Sequence, residues 1–177
     1  MMAIFTCRGY ILIETNRFFL RKLTIEDVSD RYLSWLNDTD SRRWIVTADS
    51  IKKKGDLRKY IEERVNREDV LFLGIFLKLS NLHIGNIKYE PIDFISGIAE
   101  MGVLIGDPEY RGRSIFSEVF LPTASWLNIN MQIREIQLGV ERKNLKAINA
   151  YRKVGFVDKL SSQMEVEPMT LRMTFYL

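Results

Sequence analysis

Two stretches of the chain carry residue types and spacings suited to chemistry, and both lie between Ile98 and Phe156. The first is Gly106-Asp107-Pro108-Glu109-Tyr110-Arg111-Gly112-Arg113-Ser114, set between a predicted strand and a predicted helix. The opening N–H groups of a helix lack intrahelical partners and point outward, and the helix dipole favours negative charge beside them. Arg111 and Arg113 add formal positive charge, so a phosphate or pyrophosphate is the natural guest. The spacing fits neither a Walker loop nor the dinucleotide fingerprint. An ordinary basic turn before a solvated helix would satisfy the same residues. The second stretch is Asn144-Leu145-Lys146-Ala147-Ile148-Asn149-Ala150-Tyr151-Arg152-Lys153-Val154-Gly155-Phe156. On a helix, Asn144, Ala147 and Tyr151 share one stripe, where the small Ala147 and Ala150 admit close approach. Tyr151 could donate a proton there, or rest in the core with its hydroxyl satisfied.

Other chemistries lose ground on composition. The chain has 177 residues with one cysteine, Cys7, and one histidine, His83. An intrachain disulfide and a cysteine zinc cluster are excluded, and nucleophile–histidine systems lose probability. Charges nearly cancel, with 26 Lys+Arg against 23 Asp+Glu, which gives no broad basic field for nucleic acid or membrane. No run of about 18 apolar residues appears, and the N-terminal residues lack a basic leader and a cleavage site. The expectation is a cytoplasmic protein with a single domain over 1–177.

Hydrophobic periodicity supplies the elements that must position these stretches. Arg17–Leu23 reads as a strand. A helix is expected from Thr24 as N-cap, with Val28, Tyr32, Trp35 and Leu36 at helical spacing. Leu57, Tyr60, Ile61 and Val65 mark a second helix. Strands are predicted at Val70–Leu77, Leu82–Tyr89 and Ile98–Ile105. A helix over Ile115–Leu127 follows, with Pro122 predicting a kink or break. Then come a strand at Glu135–Val140, a helix at Asn144–Val154 capped by Gly155, and strands near Phe156–Leu160 and Thr170–Leu177. The order gives an α/β fold with helices on both faces of a sheet. Residues 1–14 read as an N-terminal extension or an extra edge strand.

Together the two stretches resemble the GNAT superfamily of acetyl-coenzyme A-dependent N-acetyltransferases, over Phe18 to about Phe156. Arg111 stands where that family begins its Arg/Gln-x-x-Gly-x-Gly/Ala pyrophosphate motif, with Ser114 and Phe116 at the two small-residue positions. Asn144, Ala147, Tyr151, Lys153, Gly155 and Phe156 match the family's Asn-x-x-Ala-x-x-x-Tyr-x-Lys-x-Gly-Phe pattern in full. The Phe19-Leu20-Arg21-Lys22-Leu23 opening is also similar. The resemblance implies a mixed, mostly antiparallel central sheet, acetyl-CoA as donor cosubstrate, no metal, and a homodimer as a common assembly. Tyr32-Leu33-Ser34-Trp35-Leu36-Asn37-Asp38, His83-Ile84-Gly85-Asn86-Ile87-Lys88 and Ala99–Gly106 resemble the branch that acetylates amino sugars of nucleotide-linked precursors. That branch serves surface-polysaccharide or flagellin-glycan synthesis. The ribosomal-protein N-terminal acetyltransferases share the layout and are the rival, followed by other small amines. A degenerate, non-catalytic acyl-CoA-binding or partner-binding module is a further alternative, motivated by Ser114 and Phe116.

By the same resemblance, acetyl transfer is direct, without an acyl-enzyme. Glu100 is the candidate base for the acceptor ammonium, and Tyr151 the acid for the departing thiolate. Backbone N–H groups around Val103 and Leu104 would meet the oxyanion. The donor would lie along Val103, Leu104, Ile105, Arg111, Gly112, Arg113, Ser114, Ile115, Phe116, Asn144, Ala147 and Tyr151. Phe116 puts a large ring where the family keeps space, so weaker or shifted pyrophosphate binding is expected. Trp35, Trp44, His83 and Asn86 are the acceptor candidates, the tryptophans for stacking on a sugar or base. Strand alternation places His83 on one face with Gly85, Ile87 and Tyr89.

Overall fold

The computed structural model describes residues 4–7, 10–44, 50–159 and 169–177. These residues form nine strands and five helices in the order β1 (Ile4–Cys7), β2 (Tyr10–Glu14), β3 (Phe18–Lys22), α1 (Asp30–Asn37), α2 (Thr39–Arg42), α3 (Lys54–Val65), β4 (Leu71–Leu77), β5 (His83–Asp93), β6 (Ile98–Ile105), α4 (Ile115–Met131), β7 (Glu135–Glu141), α5 (Leu145–Lys153), β8 (Val157–Asp158) and β9 (Thr170–Tyr176). One sheet takes them in the order β1-β2-β3-β4-β5-β6-β7-β9-β8. Every pairing is antiparallel except β6 with β7, so the expected mixed, mostly antiparallel sheet is present.

Each face of the sheet buries its own apolar core. On one face Leu71, Leu73 and Ile75 of β4, with Ile87 and Tyr89 of β5 and Ala99 and Met101 of β6, pack on α4 and on Ile148 of α5. On the other, Phe72 and Phe76 of β4 pack with Tyr32, Trp35 and Leu36 of α1 and Leu57 and Ile61 of α3. The nearly continuous apolar run of β4 reflects burial on both faces. The helices of the second face stop short of β7 and β9. There Gln137, Gly139, Thr174 and Arg172 share the face by register, with Glu100 and Gly102 of β6 beside them.

Residues 1–14, read as an extension or an extra strand, contribute β1 and β2, with residues 1–3 and 8–9 outside the described residues. Several other expectations need correction. Thr24 opens a 3-10 turn over Ile25–Asp27 instead of a long helix. Asp27 is drawn to Arg21, at 2.6 and 2.8 Å, and to the Thr24 amide. The helix begins afresh at Asp30, with the Ser29 hydroxyl accepting from the Tyr32 amide. Pro122 does not break α4, which runs unbroken over 17 residues. Its face carries Val119, Phe120, Ala124, Trp126 and Leu127 into the core, enough to outweigh the roughly 3 kcal/mol cost of an interior proline. The Thr123 hydroxyl also lies against the carbonyls of Val119 and Phe120, next to the one that Pro122 leaves without a donor.

Candidate active site

The site begins with a ladder that stops early. β6 pairs with β5 as far as Ile105, opposite Gly85. On its other edge it pairs with β7 only at Ile98, Ala99 and Glu100, opposite Glu135, Ile136 and Gln137. Both strands continue, so from Met101 onward they splay, and the edge carrying Val103, Leu104 and Ile105 faces the opening. Strand-edge amides in such a gap are available to a guest in place of a neighbouring strand.

Beyond Ile105 the chain turns sharply. The Gly106 and Asp107 amides both donate to the Ile84 carbonyl, at 3.0 and 3.1 Å. A Cβ at Gly106 would run into the Trp35 ring, so glycine is required there. Gly112 (φ +74°) and Ser114 (φ +56°) both take left-handed conformations, which aim the chain into α4. Ser114 is the N-cap but makes no side-chain cap, and the first backbone bond into the helix runs from the Glu118 amide to the Ser114 carbonyl. The N–H groups of Ile115, Phe116 and Ser117 are thus left for a guest at the start of a 17-residue helix. No described residue lies within 4 Å of where a Gly112 Cβ would stand. Open space, free amides and helix polarity fit a pyrophosphate.

The two arginines divide the work. Arg111 donates to the carbonyls of Ile105 (3.1 Å) and Gly106 (2.6 Å) and pairs with Asp38 at 3.0 Å. Its side chain is therefore a brace between the end of β6 and the residue after α1, and its charge is offset. Arg113 is exposed, lies over the Tyr110 ring at 5.5 Å, and has no ion pair among the described residues. Its charge is the one the loop can offer to a guest.

Phe116 is not in the guest's path. Its ring is 8% exposed and turns inward, stacked on Phe120 at 5.2 Å and edge-on to Tyr151 at 5.1 Å. Only its amide faces the loop side, and Ile115 is likewise buried behind its own amide. The expectation of a ring obstructing the donor is corrected on this ground. Asn144 sits at the N-cap of α5, its Oδ1 accepting from the Ala147 amide at 3.2 Å, so its side chain is committed to the helix. Ala147 is half-buried on the face packed against the core. Tyr151 rests between Phe116 and Phe156, and burial pushes its hydroxyl up to about 12. It keeps its proton throughout the neutral range.

The acceptor candidates are not assembled as the sequence suggests. Trp35 is buried beneath Gly106, and Asn86 is buried too. His83 is stacked on Phe76 at 4.8 Å and flanked by Tyr32 and Trp35. The register shifts between Ile75 and Phe76, which turns His83 onto the α1 face, away from Ile87 and Tyr89. Its Nε2 meets two acceptors, the Gly85 carbonyl (3.0 Å) and Asn86 Oδ1 (2.9 Å), so Nε2 carries the hydrogen. Nδ1 is buried with no partner among the described residues, and burial lowers the pKa of the ring below its ordinary value. These three residues form interior support. Trp44 is exposed at the end of α2, beside residues 45–49, which lie outside the described residues.

What sequence reasoning misses is a polar shelf that runs from beneath α3 to the face beside β7 and β9. Glu100, at the fork of the splay, is gripped by Arg172 through two bonds of 2.9 and 3.2 Å. Next to it, among the described residues, nothing lies within 4 Å of where a Gly102 Cβ would stand. Lys88, opposite Gly102 on β5, bonds Glu90 at 2.6 Å and the Tyr60 hydroxyl at 2.8 Å. Arg64 and Arg67 also hold Glu90, at 2.9 and 2.7 Å. Period-two alternation puts Arg172 and Glu100 on matching faces, but only the crossover that seats β9 beside β7 brings them together.

A strand splayed from its parallel neighbour, followed by a left-handed loop and an uncapped helix start, makes a site that fits a pyrophosphate-bearing donor. The family of the Acetyltransferase (GNAT) domain matches residues 17–157, and the chain belongs to it. Among solved structures, RimL, a ribosomal-protein alpha-N-acetyltransferase in complex with coenzyme A, is similar at a TM-score of 0.81 and 15% identity, over 94% of this chain and 98% of that one. A dodecameric spermidine N-acetyltransferase from Vibrio cholerae gives 0.71 at 19% identity, over 90% and 94%. The microcin self-immunity acetyltransferase MccE, in complex with acetyl-CoA and AMP, gives 0.76 at 14%, over 92% and 93%. No curated protein matches the sequence. The chain accordingly carries an acetyl-CoA-dependent acetyltransferase domain of the GNAT family. Among the described residues no helix is long and apolar enough to cross a membrane, and no group of His, Cys, Asp or Glu converges on a metal position.

Proposed function

We propose that the enzyme transfers an acetyl group directly to a primary amine of a nucleotide-linked amino sugar. The observation that carries this reading is the charge of the shelf. Its carboxylates, Glu90 and Glu100, are each held by cations, Glu90 by Lys88, Arg64 and Arg67 and Glu100 by Arg172. No uncompensated negative charge is left there, among the described residues, to attract a polyamine. A polar acceptor with phosphate groups suits a floor of lysine, arginine and glycine. The AMP in the MccE complex supports room for a nucleotide in this fold.

Acetyl-CoA supplies the activated acetyl group. The amides of Ile115, Phe116 and Ser117, with Arg113, would hold its pyrophosphate, and the open edge at Val103, Leu104 and Ile105 its chain. Glu100 takes the ammonium proton of the acceptor, directly or through one water, so that the amine can attack. Backbone N–H groups around Val103 and Leu104 steady developing negative charge on oxygen. Tyr151, still protonated, supplies a proton to the departing sulfur.

A protein N-terminus is the second reading, favoured by the likeness to RimL. Thiol release measured with a UDP-linked amino sugar, a ribosomal-protein N-terminal peptide and spermidine separates the readings. The amino-sugar nucleotide is expected to give the highest kcat/KM. A higher value with the peptide transfers the assignment to the second reading. No release with any amine, despite coenzyme A binding, makes the chain a non-catalytic acyl-CoA-binding module.

A further inference from the structure

Arg172 uses only part of its hydrogen-bonding capacity on Glu100. A guanidinium carries five N–H donors in a rigid fork. Two of them, one on each terminal nitrogen, reach the two oxygens of Glu100. No other bond from the Arg172 side chain is formed among the described residues, so Nε and the second hydrogen of each terminal nitrogen remain available. The arm reaches Glu100 by crossing β7 at Gly139. A Cβ there would stand 3.4 Å from one terminal nitrogen of Arg172 and 3.9 Å from its Cδ. The pair is half-exposed, with Arg172 at 36% and Glu100 at 41% of their side-chain surface. Beyond them Gly102 leaves the floor without a side chain, and no described residue lies within 4 Å of its Cβ position.

We infer that Arg172 is the acceptor-selecting residue: one edge of its guanidinium holds Glu100, and its remaining donors bind an anionic group, phosphate or carboxylate, carried by the acceptor. The inference rests on the shelf being the acceptor site of the proposed function. A guanidinium fork recognises the planar or tetrahedral oxygens of such groups through paired charge-assisted bonds. With the anion on one side of Arg172 and Glu100 on the other, the acceptor's amine is delivered beside the carboxylate that takes its proton. Arg172 thereby selects amines that carry their own negative charge, and disfavours polycations, which would be repelled by its guanidinium.

The test is binding, so that it stands apart from turnover. Titration in the presence of coenzyme A compares glucosamine 1-phosphate with glucosamine, and β-alanine with propylamine, on the wild-type protein and on Arg172→Gln and Arg172→Lys. The phosphate pair and the carboxylate pair distinguish the two sources of anion. In the wild type, at least one anionic probe is expected to bind about 10- to 100-fold more tightly than its uncharged counterpart, the range of a hydrogen bond to a charged group. Arg172→Gln should bring that ratio near one, and Arg172→Lys should restore part of it. A ratio near one in the wild type, or one unchanged by Arg172→Gln, overturns the inference. A purely structural arginine would weaken both members of a pair alike and leave the ratio intact. Failure of Glu100 as base is read separately, as a Glu100→Gln variant whose kcat and pH profile match the wild type.

Discussion

Replacing Phe116 separates two accounts of the loop that differ in sign. If the ring blocked the donor, removing it would tighten coenzyme A binding at little cost. The structure instead puts the ring in the core, against Phe120 and Tyr151. Truncating a buried phenylalanine to alanine typically costs about 3–5 kcal/mol, and each well-oriented aromatic contact accounts for roughly 0.5–1.5 kcal/mol of such a loss. Phe116 lies at the edge of the core with 8% exposure, which favours the lower end, about 3 kcal/mol. For a chain of this length that corresponds to a fall in Tm of about 6–12 °C. Phe116→Ala should therefore lower Tm by this amount and shift the urea midpoint downward, and titration should show coenzyme A affinity no better than wild type. Phe116→Leu should recover most of the stability. A Phe116→Ala protein with unchanged Tm and coenzyme A affinity raised tenfold or more would refute the inward placement.

Three further outcomes follow from the same geometry. Tyr151→Phe should keep coenzyme A affinity and lower kcat by at least about tenfold; wild-type turnover would remove its role as acid. Gly106→Ala drives a methyl into the Trp35 ring, so thermal melting should show a loss of about 1–3 kcal/mol or more, and a neutral substitution would contradict the packing of α1 on the loop. His83 has a folded pKa below its ordinary 6.5, so the unfolded chain binds the extra proton first as pH drops. Stability should accordingly decline from about pH 6.5 toward pH 5, above the range where carboxylates titrate, and His83→Asn should flatten that slope in denaturation curves. An unchanged slope in the variant would place the pH dependence elsewhere.

The locally encoded parts of this molecule are legible in its sequence. The β6 strand, the helix after Ser114, and the Asn144–Phe156 motif each announce themselves by short-range pattern, because periodicity and capping act within one or two turns. Arg172 gripping Glu100 cannot be read that way, since it depends on β9 crossing to sit beside β7, and the two residues are 72 positions apart in the chain. Simple alternation assigns His83 to the wrong face because one irregular residue in the β4–β5 register inverts the pattern beyond it. Trp35 reads as available for a sugar because an amphipathic helix shows which side is apolar but not what covers it. Here the cover is Gly106, whose missing side chain is the space the indole fills. Phe116 misleads for the opposite reason. A motif position specifies the backbone beside the guest, whereas α4 rotates the ring inward.

The fastening of α1 to the loop has a thermodynamic consequence. Trp35 under Gly106, the ion pair of Arg31 with Asp107, and that of Asp38 with Arg111 tie this helix to the turn that presents the free amides. The same face of that helix, through Trp35 and Tyr32, backs His83, whose strand carries Lys88 into the shelf. If the turn holds the donor and the shelf the acceptor, as proposed, an adjustment of the turn made for one ligand would press on the wall used by the other. Linkage then requires that the donor change the acceptor's affinity by the same factor as the acceptor changes the donor's. On that assignment the two half-sites would share one coupling free energy, and Arg31→Ala or Asp38→Ala should reduce it.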